Sequence, residues 1–381
     1  MTSSSVLREA ASIMRRSESP VQLTHRIYSC DDHLDLFNVP RALWQERLPA
    51  KFRELGPRVV EQGGRPLWQV GSRILGPSGV GPYPTALSRV KVDDDGFRPS
   101  DPKLRLEDME RDGIHASVVY GPAALFAFPI QDPEHQKAVL AAWNDWAAEV
   151  FNREAPDRLF ALPFLPATSP EDAVAELARC EALGHRGAIL SPFEADVADR
   201  KWDPLWAAAA EAGLPISFHI GGGSRIRPHE GGWKIAGFAA VAPMQLDEPL
   251  SCMVFSGALE RNPGLRLVLA ESGVGWVPWF VARMDATFEK HCAPHPQHSI
   301  RTRPSELFHR QVYATFEEEP LGPQLIPLLG PDNFMWACDF PHPDSTWPRS
   351  REAIEHALAG LSNDAVRKVT GENCRALYRL P

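Results

Sequence analysis

The stretch Asn333-Phe334-Met335-Trp336-Ala337-Cys338-Asp339-Phe340-Pro341-His342-Pro343 is an apolar run that ends on a carboxylate, with an imidazole three residues further on. A short apolar run bounded in this way reads as a strand buried on both faces, as in a parallel sheet, and the charged group belongs at its C-terminal end. Seven comparable runs precede it: Arg26–Cys30, Ala116–Tyr120, Leu159–Pro163, Gly187–Ser191, Pro215–His219, Arg266–Glu271 and Val312–Phe316. Amphipathic stretches separate them and predict helices over Ser169–Leu183, Asp203–Ala212, Pro249–Leu259 and Val274–Glu289, with a last helix over Asn363–Leu377. Ser169 suits the N-cap and Pro170 the first turn of the first of these. Eight strands alternating with helices predict an α/β fold, the (β/α)8 TIM-like barrel, whose closed ring leaves no exposed edge.

The rest of the chain fits that frame. Residues 26–381 are expected to form one barrel domain behind a flexible, Ser-rich segment over residues 1–25, with insertions at about 39–109, 221–235 and 291–309 folding over the barrel mouth. The 36 prolines stiffen these long loops. A net charge of −9 with no long basic run argues against a nucleic-acid partner. No apolar run reaches the roughly 18 residues of a membrane span, and the N-terminus lacks the apolar core of a signal peptide, so a cytoplasmic protein without a membrane partner is expected. The six cysteines contain no C-x-x-C pair and read as reduced thiols. The eleven tryptophans are explained mostly by core packing, and a homodimer is carried as a prior.

Chemistry-bearing residues recur at strand ends. Asp31 and His33 are two apart on an extended segment and share a face. His219 closes the fifth run and is followed by Gly221-Gly222-Gly223, which lets loop backbone pass close to a neighbour. Glu271 follows the sixth run directly, where an unpartnered carboxylate is costly to bury and calls for a cation, a donor or water. The bland alternative has Glu271 accepting from the amides that start the next helix. Asp339 ends the eighth run and suits metal binding, proton transfer or both; His342 suits a ligand, a shuttle or an orienting role. In a barrel these ends converge on one face, so Asp31, His33, His219, Glu271 and Asp339 are the candidate metal ligands and Asp339, Glu271 and His342 the candidate catalytic groups. Imidazole and carboxylate without thiolate suit zinc, manganese or iron, as one or two divalent ions per chain. Arg225, Arg227 and Trp233, with His229, follow the glycine loop and are candidates for holding a substrate carboxylate. His115 lies at the opposite rim and reads as structural, and Glu317-Glu318-Glu319 reads first as a solvated charge run.

These motifs resemble the amidohydrolase superfamily in the branch of aminocarboxymuconate-semialdehyde decarboxylase. The resemblance rests on Asp31-Asp32-His33, Phe218-His219-Ile220-Gly221-Gly222, the stretch from Leu269 through Glu271 to Trp276, the stretch from Cys338 to Pro348, and the ending from Thr370 to Tyr378. It implies a barrel of the metal-dependent hydrolase type with a divalent ion on Asp31, His33, His219 and Asp339. Two positions depart from the family pattern. Many members carry His-x-His or Glu-x-His where this chain has Asp31-x-His33, and the decarboxylases commonly carry His where this chain has Glu271. A few relatives with a similar site resemble dinuclear oxygenases that hydroxylate aliphatic carbon, on an amino acid or a diterpenoid.

The expected function is therefore that of a metal-dependent hydrolase or carbon–carbon lyase. It would hydrolyse, or non-oxidatively decarboxylate, a small organic acid or derivative, with Asp339 moving the proton and Glu271 as a second base or bridging ligand. Its main rival is a dinuclear non-haem iron monooxygenase using Asp31, His33, His219, Glu271, Asp339 and His342. A catalytically silent barrel acting as a partner subunit is the reading from a third class, and an intact ligand set argues against it.

Overall fold

A computed structural model describes residues 21–381 apart from 82–83, 123–127, 129, 227–230 and 296–299. Most of the expected flexible segment over residues 1–25, together with Arg227 and His229, lies outside the described residues. Eleven strands are present among the described residues: β1 (Tyr28–His33), β2 (Arg58–Gln62), β3 (Arg65–Val70), β4 (Arg73–Pro77), β5 (Ala116–Tyr120), β6 (Leu159–Ala161), β7 (Ala188–Ile189), β8 (Ile216–His219), β9 (Leu267–Ala270), β10 (Val312–Phe316) and β11 (Phe334–Trp336). Eight of them are the eight apolar runs. They pair in parallel in the orders β1-β5-β6 and β11-β10-β9-β8-β7.

Two seams join these arcs into the barrel. Between β6 and β7 the main chain of Phe164 bridges Ile189, Leu165 N–H donates to Ile189 O at 2.9 Å, and Ile189 N–H to Pro163 O at 2.8 Å. Between β11 and β1, Asp339 N–H donates to Asp31 O at 3.0 Å and His33 N–H to Phe340 O at 2.7 Å. The second seam thus runs through the residues that carry the chemistry.

The helices follow from local signals. Ser169 Oγ accepts from Asp172 N–H at 3.1 Å and Pro170 opens the helix Pro170–Ala182. Asp203–Ala212 ends at Gly213, whose φ of 62° supplies the left-handed stop. The helix expected over Pro249–Leu259 is instead two, Asp247–Phe255 and Ala258–Arg261, because Gly257 turns left-handed between them at φ 79°. The final helix keeps its expected span but widens to a π turn over Lys368–Glu372.

The segment expected as the first insertion contains the antiparallel sheet β2-β3-β4, and Trp44 and Trp68 dock it with rings crossing at 5.2 Å. Its last part, Pro102–Asp112, is the crossover helix into β5, capped by Asp101 and opened by Pro102. All six cysteines are free thiols, and no helix of the described residues is long and apolar enough to cross a membrane.

Candidate metal centre

At the C-terminal ends of the barrel strands the pleat turns Asp31 and His33 inward and Asp32 between them outward. Asp32 is buried against Arg105, whose guanidinium lies 3.0 Å away and is itself fully buried. Ser29 Oγ at 2.7 Å, Ser117 Oγ and the Phe340 amide at 3.2 Å also donate to this carboxylate. Arg105 further donates to His33 O at 3.2 Å and packs 4.6 Å above the Phe340 ring. The Asp32–Arg105 pair thereby clamps the backbone beside His33 to the backbone beside Asp339, directly behind the site.

In front of that clamp, four strand ends bring their side chains together. His33 Nε2 lies 3.3 Å from Asp31 Oδ1, 3.6 Å from Glu271 Oε2 and 3.1 Å from Asp339 Oδ1. His219 Nε2 lies 3.6 Å from Asp31 Oδ1 and 3.3 Å from Glu271 Oε2. All five residues expected as metal ligands are therefore brought together. Separations near 3–3.6 Å between neighbouring donors are those of atoms sharing one ion at about 2.1 Å. Asp31 Oδ1, His33 Nε2 and His219 Nε2 are buried with no hydrogen-bond partner, an arrangement too costly to leave unfilled and well matched to a divalent cation. Nitrogen and carboxylate donors without sulfur suit manganese, zinc or iron.

Second contacts aim these donors. Asp31 Oδ2 accepts from Glu271 N–H at 2.7 Å and from Thr315 Oγ1 at 2.8 Å, which leaves Oδ1 free for the centre. His219 Nδ1 lies 2.8 Å from Ile220 O; donation there puts the bare lone pair on Nε2. His342 sits between two carboxylates, with Nδ1 2.7 Å from Asp339 and Nε2 3.4 Å from Asp35, and its ring stacks on His33 at 4.1 Å. Glu271 and Asp339 adopt left-handed backbone, at φ 53° and 60°. Such conformations are unfavourable for residues other than glycine and cluster at functional sites.

Electrostatics follow from this crowding. Burial and the charge of His342 pull His33 down, but Asp31 and Asp339 outweigh them and push it up to about 10. Burial also opposes charge on His342, yet Asp339 and Asp35 hold it well above its ordinary value. Burial alone would raise Asp339; His342 and His33 reverse that and lower it. Glu271 is raised, first by burial and then by Asp339.

Several sequence readings change. The turn that leads into the helix Val277–His291 is held not by Glu271 but by Glu319, which accepts from Val274 N–H at 2.6 Å and Gly275 N–H at 3.0 Å. A Cβ at Gly273 or Gly322 would strike that carboxylate, so these positions require glycine. The run 317–319 is accordingly not a solvated charge run, since only Glu318 is exposed and Glu317 has a buried Oε1. The close approach that the glycine loop permits is to Phe193, whose ring lies where Cβ atoms of Gly222 and Gly223 would fall.

Arg225 is exposed and Trp233 is 70% exposed at the start of the helix Trp233–Val241. Among the described residues, no hydrogen bond or ion pair ties either to the centre. His115 packs edge-on against Tyr28 at 5.4 Å, as its structural reading expects. Thr315 and Asp35, which meet Asp31 and His342, are not among the residues that the sequence singles out. Thr315 stands on β10, and a polar position on a largely apolar strand was the available signal.

Comparison with known proteins agrees with this architecture. A family model described as Amidohydrolase matches residues 33–380. Gamma-resorcylate decarboxylase of Rhodococcus jostii (strain RHA1) is 27% identical over 305 residues, covering 73% of this chain and 87% of the relative. Among solved structures, an amidohydrolase from Mycobacterium avium subsp. paratuberculosis K-10 superposes with a TM-score of 0.76 at 23% identity, covering 94% of this chain and 100% of that one. A dihydroxybenzoic acid decarboxylase from Polaromonas sp. JS666, with bound manganese and the inhibitor 2-nitroresorcinol, gives 0.65 at 18% identity, covering 94% and 98%.

Proposed function

Because this chain belongs to the amidohydrolase family, we propose that it is a metal-dependent enzyme that removes carbon dioxide without an oxidant from a small, hydroxylated aromatic acid. The observation that carries the proposal is the meeting of three buried, unpartnered donor atoms, from Asp31, His33 and His219, with the carboxylates of Glu271 and Asp339. Decarboxylation stands ahead of hydrolysis here, the reverse of the order read from the motifs, because the named curated relative is a decarboxylase. The oxygenase rival finds no support among the relatives named above. Hydrolysis keeps second place because Glu271 occupies the position where the decarboxylases commonly carry histidine.

Asp31, His33, His219 and Asp339 would hold the ion, with Glu271 at its edge. A divalent ion there supplies Lewis-acid polarisation and orients the acid's carboxylate. The chain supplies the proton. Loss of carbon dioxide leaves an electron pair on the ring carbon, and a group within hydrogen-bond reach must protonate it. Asp339, with His342 behind it and Asp35 behind His342, forms that path from the rim to the centre. The clamp at Asp32 and Arg105 holds the strand ends in register while the site works.

The test uses manganese-loaded protein and a panel of hydroxybenzoates that includes 2,6-dihydroxybenzoate, following release of carbon dioxide and of the phenol. Turnover that disappears on chelation and in Asp339→Asn is expected. Turnover that survives either treatment would sink the proposal, and release from amide or ester analogues alone would shift it to hydrolysis.

A further inference from the structure

The segment that follows β11 carries Asp339 and His342, and its carbonyls are held by another part of the chain at every second residue. The amides of Phe340, His342, Thr346 and Trp347 bond to β1 or to the segment itself, at Asp32 Oδ1, Asp339 O, Cys338 O and Ser345 Oγ, over 3.2, 2.9, 3.1 and 3.1 Å. Pro341 and Pro343 have no amide to give. The outward carbonyls are met by one short turn of the first insertion, Ala86–Arg89. Ala86 N–H donates to Pro341 O at 2.9 Å, and the Arg89 guanidinium donates to Trp347 O at 2.7 Å and also to Pro343 O and Ser345 O. Four carbonyls, at 341, 343, 345 and 347, thus meet this turn, and His342 stands between the first two.

The turn is built as an anchor. Ala86 and Leu87 are buried, so packing fixes its backbone. Arg89 is exposed as a residue, but its planar guanidinium spreads five N–H donors over several acceptors, which the single ammonium of a lysine cannot match. What the anchor fixes is the place of His342. Its Nδ1 is 2.7 Å from Asp339, whereas its Nε2 is 3.4 Å from Asp35, near the limit of a hydrogen bond. A displacement of about 1 Å would break the contact with Asp35, and misplacement of that size can cost about a hundredfold in rate.

We propose that Arg89 is a positioning residue for His342: by holding the carbonyls of Pro343, Ser345 and Trp347 it keeps the imidazole between Asp339 and Asp35, on the path that delivers the proton. The role rests on the decarboxylation proposed above. Among the described residues, no hydrogen bond or ion pair joins Arg89 to Asp31, His33, His219, Glu271 or Asp339. Its guanidinium is taken up by carbonyls, so it acts on the proton step and not on capture of the acid's carboxylate. The first insertion thereby serves the chemistry as well as covering the mouth.

The experiment uses full-length, manganese-loaded protein and compares Arg89→Met and Arg89→Lys with the native chain, each checked for folding by circular dichroism and for metal content. In Arg89→Met, kcat is expected to fall by about tenfold to a hundredfold with KM and metal content unchanged, and Arg89→Lys to recover part of the loss. In a His342→Gln background Arg89→Met should have little further effect, since Arg89 acts through His342. An equal fall in both backgrounds overturns the proposal. So does a rise in KM with kcat unchanged, which would make Arg89 a substrate-binding group. Amide hydrogen exchange gives a readout that needs no turnover: in Arg89→Met the amides of His342, Ser345 and Thr346 should exchange about tenfold faster or more, while β8 to β10 keep their protection. Unchanged exchange overturns the proposal. If the native protein turns over none of the hydroxybenzoates, the reading of the reaction falls, and the exchange measurement alone decides whether Arg89 holds His342.

Discussion

Asp339 combines three duties that sequence position alone cannot separate. Its backbone amide closes the β11–β1 seam, its Oδ1 faces His33, and the same oxygen meets His342. Asp339→Asn keeps the shape and removes the charge, so turnover is expected to fall by about a hundredfold or more, with melting temperature in the metal-free state little changed. His33 makes a pH prediction. Asp31 and Asp339 hold its imidazole above the ordinary value, and an ion can take Nε2 only when the proton there leaves. Apparent metal affinity should therefore rise with pH through the neutral range. Calorimetry in buffers of different ionisation enthalpy should record about one proton released per ion bound to this site; affinity independent of pH would contradict the assignment of His33 as a ligand.

The β1–β11 seam is where structure and chemistry meet at the level of elements. The buried Asp32–Arg105 pair ties β1, β5 and the turn after β11 to the helix Pro102–Asp112. Replacing Arg105 by Met leaves Asp32 charged and unpaired in the interior, and a loss of about 3–5 kcal/mol is expected. The double variant Asp32→Asn with Arg105→Met should recover part of that loss in denaturant unfolding, because no lone charge remains. On the far side of the mouth, Glu319 holds the amides of Val274 and Gly275 in the turn that leads into the helix Val277–His291. Glu319→Ala should cost about 1–3 kcal/mol, because two hydrogen bonds to a charged acceptor are lost. A cost near zero would mean that water replaces the carboxylate at that turn.

At the scale of the whole molecule, the ion and the protons both couple to folding. A ligand set this poorly satisfied when empty should gain stability on loading, by about 2.7 kcal/mol at a hundredfold excess over Kd, read as a chelator-reversible rise in Tm. His185 gives the opposite kind of coupling. It is buried against Ala161 O and Asn144 O, and burial lowers it below its ordinary value of 6.5. The unfolded chain then binds the proton more readily than the folded one, so its contribution is present above pH 6.5 and is lost as pH falls below that value. The gap in Tm between the native protein and His185→Gln should narrow as pH drops from neutral to about 5.5.

By itself the sequence determined the eight strands, the order of their crossovers and the five residues that gather at their ends. Apolar periodicity is a local property, and in a parallel barrel every strand delivers its last residues to the same face. It also separated Asp31 and His33 from Asp32, because alternation is a property of any extended chain. Only the tertiary structure decided which carboxylate does what. Glu271 stood nearest the next helix, but the turn into that helix is held by Glu319, from the loop after β10, through a space kept open by Gly273 and Gly322. The orienting roles of Thr315, Asp35 and Arg105, and the burial of Glu317, arise between segments far apart in the chain. No local pattern encodes them, because a hydrogen bond across a barrel depends on the closure of the whole ring.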